Sequence, residues 1–295
     1  MDKVSINKLP TLTEVVKLHH LYANKKLGQH FLLDMNITDK ISRLATPFDG
    51  VTVFEVGPGP GGLTRSLFKA GADNVIAIEM DERFLPALAD IGDAAEGRLR
   101  VIHGDALKVD MAQEAQQNGA SGEIKIAANL PYNVGTKMLT NWLTAEPIFW
   151  SRAVLMFQKE VAQRVVASVG DSGYGRLAIL SQSVCEVDYA FTVPASAFSP
   201  PPKVDSAVVV LNVLPETQRY PHLTLLGELT KAAFGQRRKM LRKSLKSIAK
   251  TYEIDTVIWC EACGINSQQR PEELTPKQFQ AMADYVVGAR TQNSR

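Results

Sequence analysis

Cysteine is scarce in this sequence, with three residues in 295. An odd and small number cannot build a disulfide framework, so a reducing, cytoplasmic setting is expected. Long apolar runs are also missing: nothing reaches roughly 18 consecutive apolar residues, which argues against a membrane span. The N-terminal stretch contains Asp2 and Glu14, lacks an apolar core and is not arginine-rich, which excludes a secretory signal and disfavours a transit peptide. Charge of one sign is not in excess either, the formal net charge being +2. Metal chemistry finds little support. Cys260-Glu261-Ala262-Cys263 has no second Cys pair and no spaced His pair beside it, and the five histidines are scattered. No metal is expected, and the Cys pair and His103 read as structural.

What is present is the composition of a globular protein, 45% hydrophobic and 22% charged, long enough for one large core and a smaller companion. Residues 11–22 read as a helix opened by a Thr11–Glu14 capping box, and Asn36 reads as the cap of the next. Strand-like runs then recur at 51–56, 75–78, 99–102, 124–128 and 153–157, separated by helical patterns over 61–70, 82–91, 110–118 and 135–145. Two later runs, 184–193 and 207–213, fit a hairpin added to that sheet. The alternation predicts an α/β fold: a mostly parallel sheet of seven strands with helices on both faces. After Leu214-Pro215 only helices are expected, near 223–234, 237–250, 253–262 and 276–289, the last capped by Thr275 with Pro276 at its first position. The predicted division is residues 1–214 and a smaller, all-helical 215–295.

Glu55-Val56-Gly57-Pro58-Gly59-Pro60-Gly61-Gly62 ends the first run and opens a helix. Gly57, Gly59 and Gly62 satisfy a dinucleotide pattern, yet Pro58 and Pro60 lack the N–H donors that a pyrophosphate requires. Glu55 would repel that phosphate. A phosphate-free nucleoside, S-adenosylmethionine, fits better than NAD, with Glu55 stabilising either the glycine loop or the cofactor's ammonium. Glu79, about 20 residues past the turn, stands where a carboxylate accepts ribose hydroxyls. Asp105 stands where one accepts the adenine amine. Solvated loop carboxylates are the alternative for both. The expected architecture is therefore a Rossmann-like class I methyltransferase sheet.

Asn129-Leu130-Pro131-Tyr132 follows the fourth run, at the sheet edge where ligands of such folds bind. An adenine N6 is a poor nucleophile because its lone pair is delocalised. The Asn129 amide oxygen and a carbonyl of the Leu130-Pro131 turn are suited to accept the two amine hydrogens and stabilise the charge that develops. Tyr132 offers a face for a flipped base. An ordinary turn with a half-buried tyrosine is the alternative. Between Lys231 and Lys250 lie eight cations (Lys231, Arg237, Arg238, Lys239, Arg242, Lys243, Lys246 and Lys250) and no acid. Arg238, Arg242 and Lys246 are spaced by four, with Leu241, Leu245 and Ile248 opposite, so an amphipathic phosphate-binding helix competes with a merely solvated face.

From Lys25 to about Phe279 the sequence resembles the KsgA-type small-subunit ribosomal RNA adenine dimethyltransferases. The likeness is carried by Leu27-Gly28-Gln29-His30-Phe31-Leu32, the glycine turn, Gly104-Asp105-Ala106, Asn129 to Tyr132 and Phe157-Gln158-Lys159-Glu160-Val161-Ala162. It continues through Phe198 to Ser206, Phe234-Gly235-Gln236-Arg237-Arg238-Lys239 and Arg270 to Leu274. The resemblance implies dimethylation at N6 of two adjacent adenosines in a hairpin near the 3′ end of small-subunit rRNA, within a pre-30S particle. S-adenosylmethionine is the implied cofactor, and a monomer is the default. It implies that His30 and Leu32 bound the cofactor's methionine end, that Gly57 and Gly59 meet it through backbone, and that Glu79, Asp105 and Asn129 hold it. His30 stands where many members carry Asn. Phe198 resembles a second aromatic wall of the adenine pocket, with packing as the alternative. Competing readings are a large-subunit rRNA methyltransferase, a non-catalytic assembly or transcription factor on this fold, and a Rossmann dehydrogenase.

Overall fold

The structure is a computed structural model that describes residues 5–23, 29–118 and 122–293, without side chains beyond Arg290. Lys25, where the likeness begins, and Leu27 and Gly28 of the quoted motif lie outside the described residues. The chain divides into two compact units. The first comprises Met1–Met138, Phe149–Ala162 and Asp188–Asn212; the second comprises Leu139–Ile148, Gln163–Val187 and Val213–Arg295. The last junction falls beside the boundary placed near 214, but two inner segments cluster with the C-terminal helices.

The principal sheet contains β2 (Thr52–Val56), β3 (Asn74–Glu79), β4 (Leu99–His103), β5 (Ile124–Asn129), β6 (Arg152–Gln158), β7 (Cys185–Val193) and β9 (Ser206–Val213). Its order is β4-β3-β2-β5-β6-β9-β7. The first five strands run parallel, while β9 is antiparallel to β6. All seven predicted strands are present, each within two residues of its expected bounds. β6 is buried at all but its ends, which explains its unbroken apolar run, and β2 is buried at every position, Thr52 and Glu55 included. The edge strand β7 alternates instead, with Glu186, Asp188, Ala190 and Thr192 exposed. A two-residue strand pair, β1 (Phe31–Leu32) with β8 (Phe198–Ser199), is too short to leave a periodic signal.

The helices of the first unit are α1 (Leu12–Leu18), α2 (Met35–Ala45), α3 (Gly62–Lys69), α4 (Leu85–Ala94) and α5 (Met111–Gln117), followed by the start of α6 (Gly135–Leu143) and of α7 (Lys159–Val166). The Thr11–Glu14 capping box is formed. α1 stops four residues short of expectation, where His20 takes a φ of 50°. The cap of α2 is Asp34, whose side chain accepts from the Asn36 N–H, so Asn36 lies inside the first turn. The chain winds from β2 outward to β3 and β4, then crosses back to β5 and β6. This reversal leaves a crevice beyond the C-terminal ends of β2 and β5, where open α/β sheets bind ligands.

The second unit adds α8 (Arg176–Val184), α9 (Leu223–Gly235), α10 (Leu241–Ser244), α11 (Lys246–Thr251), α12 (Thr256–Ala262) and α13 (Pro276–Asn293). Its buried aromatics have their polar atoms paired. The Trp259 indole donates to the Met282 carbonyl (2.9 Å) and the Tyr174 hydroxyl to that of Leu274 (2.7 Å). The helix expected over 237–250 is instead a turn followed by two short helices that meet at Leu245. Tertiary bonds explain the late start: the Leu241 and Arg242 N–H groups donate to the Gln269 and Ser267 carbonyls, so the first turn's orphan donors are satisfied by a neighbouring loop. Among the described residues no helix is long and apolar enough to cross a membrane.

Candidate active site

The crevice is a pocket of about 190 Å³ lined by the glycine turn, the ends of β2, β3 and β5, the loop after β4, and His30, Leu32 and Phe198. Gly57, Gly59 and Gly61 have φ of 66°, 53° and 84°, a region that side-chain-bearing residues avoid. A Cβ added at Gly57 or Gly59 would meet no atom within 4 Å, so their backbone faces open space. At Gly61 the added carbon would lie 2.1 Å from Ile91 Cδ1, which lets α4 pack against the turn.

Glu55 is fully buried and accepts from the Thr64 hydroxyl (2.6 Å), tying β2 to α3. Burial pushes its carboxyl up to about 8, helped by the charge of Glu79 and opposed by the Thr64 hydrogen bond. Glu79 accepts from the Gly59 N–H on one oxygen (3.0 Å) and from the Asp81 N–H on the other (2.8 Å). Burial raises its pKa and these backbone bonds oppose the rise. A carboxylate offers about four lone-pair sites, so each Glu79 oxygen keeps one for a ligand hydroxyl. Asp105 lies past β4 with its Oδ1 accepting from the Leu107 N–H (3.0 Å), which fixes the carboxylate at the pocket wall.

Asn129 ends β5, and Leu130, whose N–H donates to the Met156 carbonyl, anchors the turn with a buried side chain. The Pro131 carbonyl accepts from Val134 and Gly135, turning the chain into α6. Gly135 is required by close approach: a Cβ there would lie 3.1 Å from the Phe157 ring and 3.2 Å from Leu130 Cβ. Tyr132 is half-buried, its hydroxyl 2.7 Å from Ser206 Oγ and its ring stacked on His30. Burial pushes the Tyr132 phenol up, so it stays protonated.

The structure thus brings Asn129, Leu130, Pro131, Tyr132 and Phe198 to the same pocket as His30, Leu32, Glu55, Gly57, Gly59, Glu79 and Asp105. Phe198 lines the pocket and is also part of the hydrophobic core, 4% exposed. Sequence reasoning missed Asp81, which Arg83 grips through both oxygens and holds down to about 2, and which also accepts from Gln29 (2.9 Å). It missed Thr64 and the bond to Ser206 as well. Thr64 is a lone hydroxyl with no pattern to betray it, and Ser206 closes the quoted Phe198–Ser206 segment without any sign of its partner.

The basic residues lie in the second unit. Arg238, Lys239, Arg242, Lys243, Lys246 and Lys250 are exposed, while Leu241, Leu245 and Ile248 are buried, so the two-faced character expected there persists across the break. Arg238 and Lys239 sit on the preceding turn, out of helical register with Arg242 and Lys246. Arg237 differs: it pairs with Glu272 (2.6 Å) and donates to the Ser172 carbonyl (2.9 Å). Among the described residues no cluster of metal-ligating side chains occurs. Cys260 is buried and Cys263 contacts the Ala281 carbonyl.

A sheet of this order, with a glycine turn and acidic strand ends around one crevice, defines a class I S-adenosylmethionine-dependent methyltransferase. The family model described as ribosomal RNA adenine dimethylase matches residues 20–287. A protein of Maricaulis maris named ribosomal RNA small subunit methyltransferase A is 51% identical, covering 95% of this chain and 96% of its own. One of the same name from Agrobacterium fabrum is 50% identical, covering 95% and 99%. The crystal structure of a dimethyladenosine transferase from Plasmodium falciparum superposes with a TM-score of 0.72 at 28% identity, covering 88% of this chain and 98% of that one. The 23S rRNA methyltransferase ErmE shares the fold, with a TM-score of 0.61 at 22% identity over 87% of this chain and 99% of its own. The chain belongs to the ribosomal RNA adenine dimethylase family.

Proposed function

We propose that this protein transfers methyl groups from S-adenosylmethionine to N6 of two adjacent adenosines in a hairpin near the 3′ end of small-subunit rRNA, giving N6,N6-dimethyladenosine. The observation that carries the chemistry is the placement of Asn129 to Tyr132 on the same crevice as Glu55, Glu79 and Asp105. The choice of the small subunit rests on relatives near 50% identity that bear that name. The division of labour proposed is a methyltransferase part over 1–214 and an RNA-gripping helical part over 215–295.

The cofactor fits the donor set. Glu55, Glu79, Asp81 and Asp105 line the pocket, and no lysine or arginine does among the described residues. A dinucleotide's phosphates would meet carboxylates and no lysine or arginine there, whereas a sulfonium and an ammonium are attracted to acidic groups. Glu79 would accept the ribose hydroxyls, Asp105 the adenine amine, and Glu55 would stand as counter-charge to the ammonium. Gly57 and Gly59 would admit the ligand against their backbone, with His30, Leu32 and Asn129 bounding it. When bound, the cofactor supplies an electrophilic methyl group.

The remaining work belongs to the protein. The Asn129 amide oxygen and a carbonyl of the 130–131 turn would accept the two hydrogens of the amine and hold its nitrogen out of conjugation with the ring. Tyr132 would stack on the base, worth about 1–3 kcal/mol, with Phe198 walling the pocket. No strong base is needed, because an alkylated ammonium loses its proton to water readily. Arg238, Lys239, Arg242, Lys243 and Lys246 would neutralise rRNA phosphates; Arg237 would do so only by leaving Glu272. We further propose that the protein acts as a monomer, on a pre-30S particle, in the cytoplasm.

The test is mass spectrometry of rRNA from isolated small and large subunits treated with purified protein and S-adenosylmethionine. Dimethyladenosine confined to the small-subunit RNA is expected. Label entering only the large subunit overturns the reading.

A further inference from the structure

We infer that Ser206 and His30 are positioning residues for Tyr132, fixing its ring and covering one face so that the target base has a single face to stack on. The inference rests on the function proposed above and goes beyond it, to what orients the aromatic that receives the base.

Ser206 opens β9, wholly buried, opposite Gln158 at the end of β6. Its hydroxyl lies 2.7 Å from the Tyr132 hydroxyl, so the phenol is held at its far end by a strand of the central sheet. Rotation about Cα–Cβ would otherwise leave the ring free to swing about its root. The ring also has a neighbour across its face: His30 stacks on it with centroids 5.8 Å apart and planes inclined by 29°.

That imidazole is itself fixed. His30 precedes β1, and Phe31 pairs with Ser199 in β8, so the next rung of the ladder would join His30 to Pro200. Pro200 has no N–H to offer a ladder. Its carbonyl is instead 2.8 Å from His30 Nδ1, which donates to it and so carries the N–H in this arrangement. The segment from Pro200 to Ser206 is therefore connected to Tyr132 at both ends, through the imidazole at one and the hydroxyl at the other.

The spacing decides which face the base uses. Stacked π-systems lie about 3.5 Å apart, so a base held between two rings needs about 7 Å. His30 and Tyr132 are too close at 5.8 Å to admit one. The base must take the opposite face of Tyr132, with His30 as backing. This places the His30 side chain on the substrate side of the pocket, supporting the aromatic that receives the base, rather than acting through the methionine end of the cofactor alone.

A double-mutant cycle tests the idea, using turnover on undermethylated small subunits together with quenching of 2-aminopurine placed at the target position of an RNA hairpin. Ser206→Ala is expected to lower kcat about tenfold, the scale of one lost hydrogen bond at a positioned group, while S-adenosylmethionine binding stays within twofold. In a Tyr132→Phe background the same change should have no further effect, because the hydroxyl it holds is gone. His30→Asn retains a donor for Pro200 but removes the ring, and His30→Phe does the reverse; each should recover only part of the quenching lost in His30→Ala. Equal losses from Ser206→Ala with and without the Tyr132 hydroxyl would show that Ser206 acts elsewhere and overturn the proposal. Wild-type quenching in both Ser206→Ala and His30→Ala overturns it too, whatever turnover does. Quenching that follows the proposal, without methyl transfer by the wild type, would overturn the functional reading and leave the positioning intact. Absence of both in the wild type removes the two together.

Discussion

Glu55→Gln gives the most quantitative handle on the pocket. The wild-type carboxyl is 1% exposed and pushed from 4.5 up to about 8 by burial. In the unfolded chain it returns to its ordinary value. Between these two values the folded protein therefore binds a proton that the unfolded chain has already released. Stability from this group is complete below pH 4.5 and is lost as pH rises, until the folded carboxyl also ionises above 8. The full span is about 5 kcal/mol, from roughly 3.5 units at 1.36 kcal/mol each. Between pH 6 and pH 9 the integrated loss is about 3 kcal/mol.

Glutamine keeps the shape and still accepts from Thr64 but cannot ionise. Urea unfolding at pH 6, 7, 8 and 9 should show wild-type stability falling by about 3 kcal/mol more than that of Glu55→Gln. Common contributions from histidines, cysteines and tyrosines cancel in the difference. Parallel curves, within about 0.5 kcal/mol at every pH, would mean that Glu55 is ionised throughout and that the pocket solvates it. The same group gives a binding signature. If Glu55 serves as counter-charge to the cofactor's ammonium, binding near pH 7 should release nearly one proton, read by calorimetry in two buffers of different ionisation enthalpy. Glu55→Gln should abolish that release.

Asn129→Ala should lower kcat by about 10²–10³, the usual cost of one transition-state acceptor or donor, with rRNA affinity unchanged in a filter-binding assay. Glu79→Gln should weaken S-adenosylmethionine binding about 10–100-fold, since hydrogen bonds to a charged group are worth about 1.5–3 kcal/mol, and calorimetry would read it. Reversing Arg242, Lys243 and Lys246 to Glu should reduce the slope of log K against log salt by about 3 or more, near one for each phosphate no longer neutralised, without changing cofactor affinity. An unchanged slope would make that face merely solvated. Gly61→Ala should destabilise the first unit by about 1–3 kcal/mol, from positive φ and the crowded Ile91 methyl, measured by urea unfolding.

How much of this was legible in the sequence depended on whether a feature leaves a period. β3 and β6 were readable because strands buried on both faces have continuous apolar interiors, β2 and β5 because theirs are interrupted only by the buried Thr52, Glu55 and Lys125, and β7 because an edge strand alternates. The glycine turn, Glu79, Asp105 and Asn129 were readable because each follows a strand end, and strand ends of a reversing parallel sheet converge on one crevice. Failures came where tertiary packing overrules local pattern. The basic segment has helical spacing from Arg238 to Lys250, yet the 267–269 loop fixes where its helix begins, so Arg238 and Lys239 fall outside it. Arg237 belongs to the same run of charge but meets Glu272, a partner 35 residues away. α8 escaped because it is packed all round by segments distant in the chain, so that Leu177 to Ser181 are buried and carry no amphipathic stripe. α7 does carry one, with Ala162 and Val165 buried opposite exposed Lys159, Glu160, Gln163 and Arg164, and was passed over because it follows β6 without a break.

The aromatic end of the pocket shows the same limit most sharply. Tyr132 stood out in the sequence through the tetrapeptide it closes, but what orients it is 74 residues later in Ser206 and 102 earlier in His30. Neither partner has a spacing relation to it; they meet only because β1 pairs with β8 and β9 pairs with β6. The glycine turn and carboxylates account for holding a cofactor, and Asn129 for holding an amine. The direction from which a base enters depends on which face of one ring is already covered, a property that exists only once four distant segments are assembled.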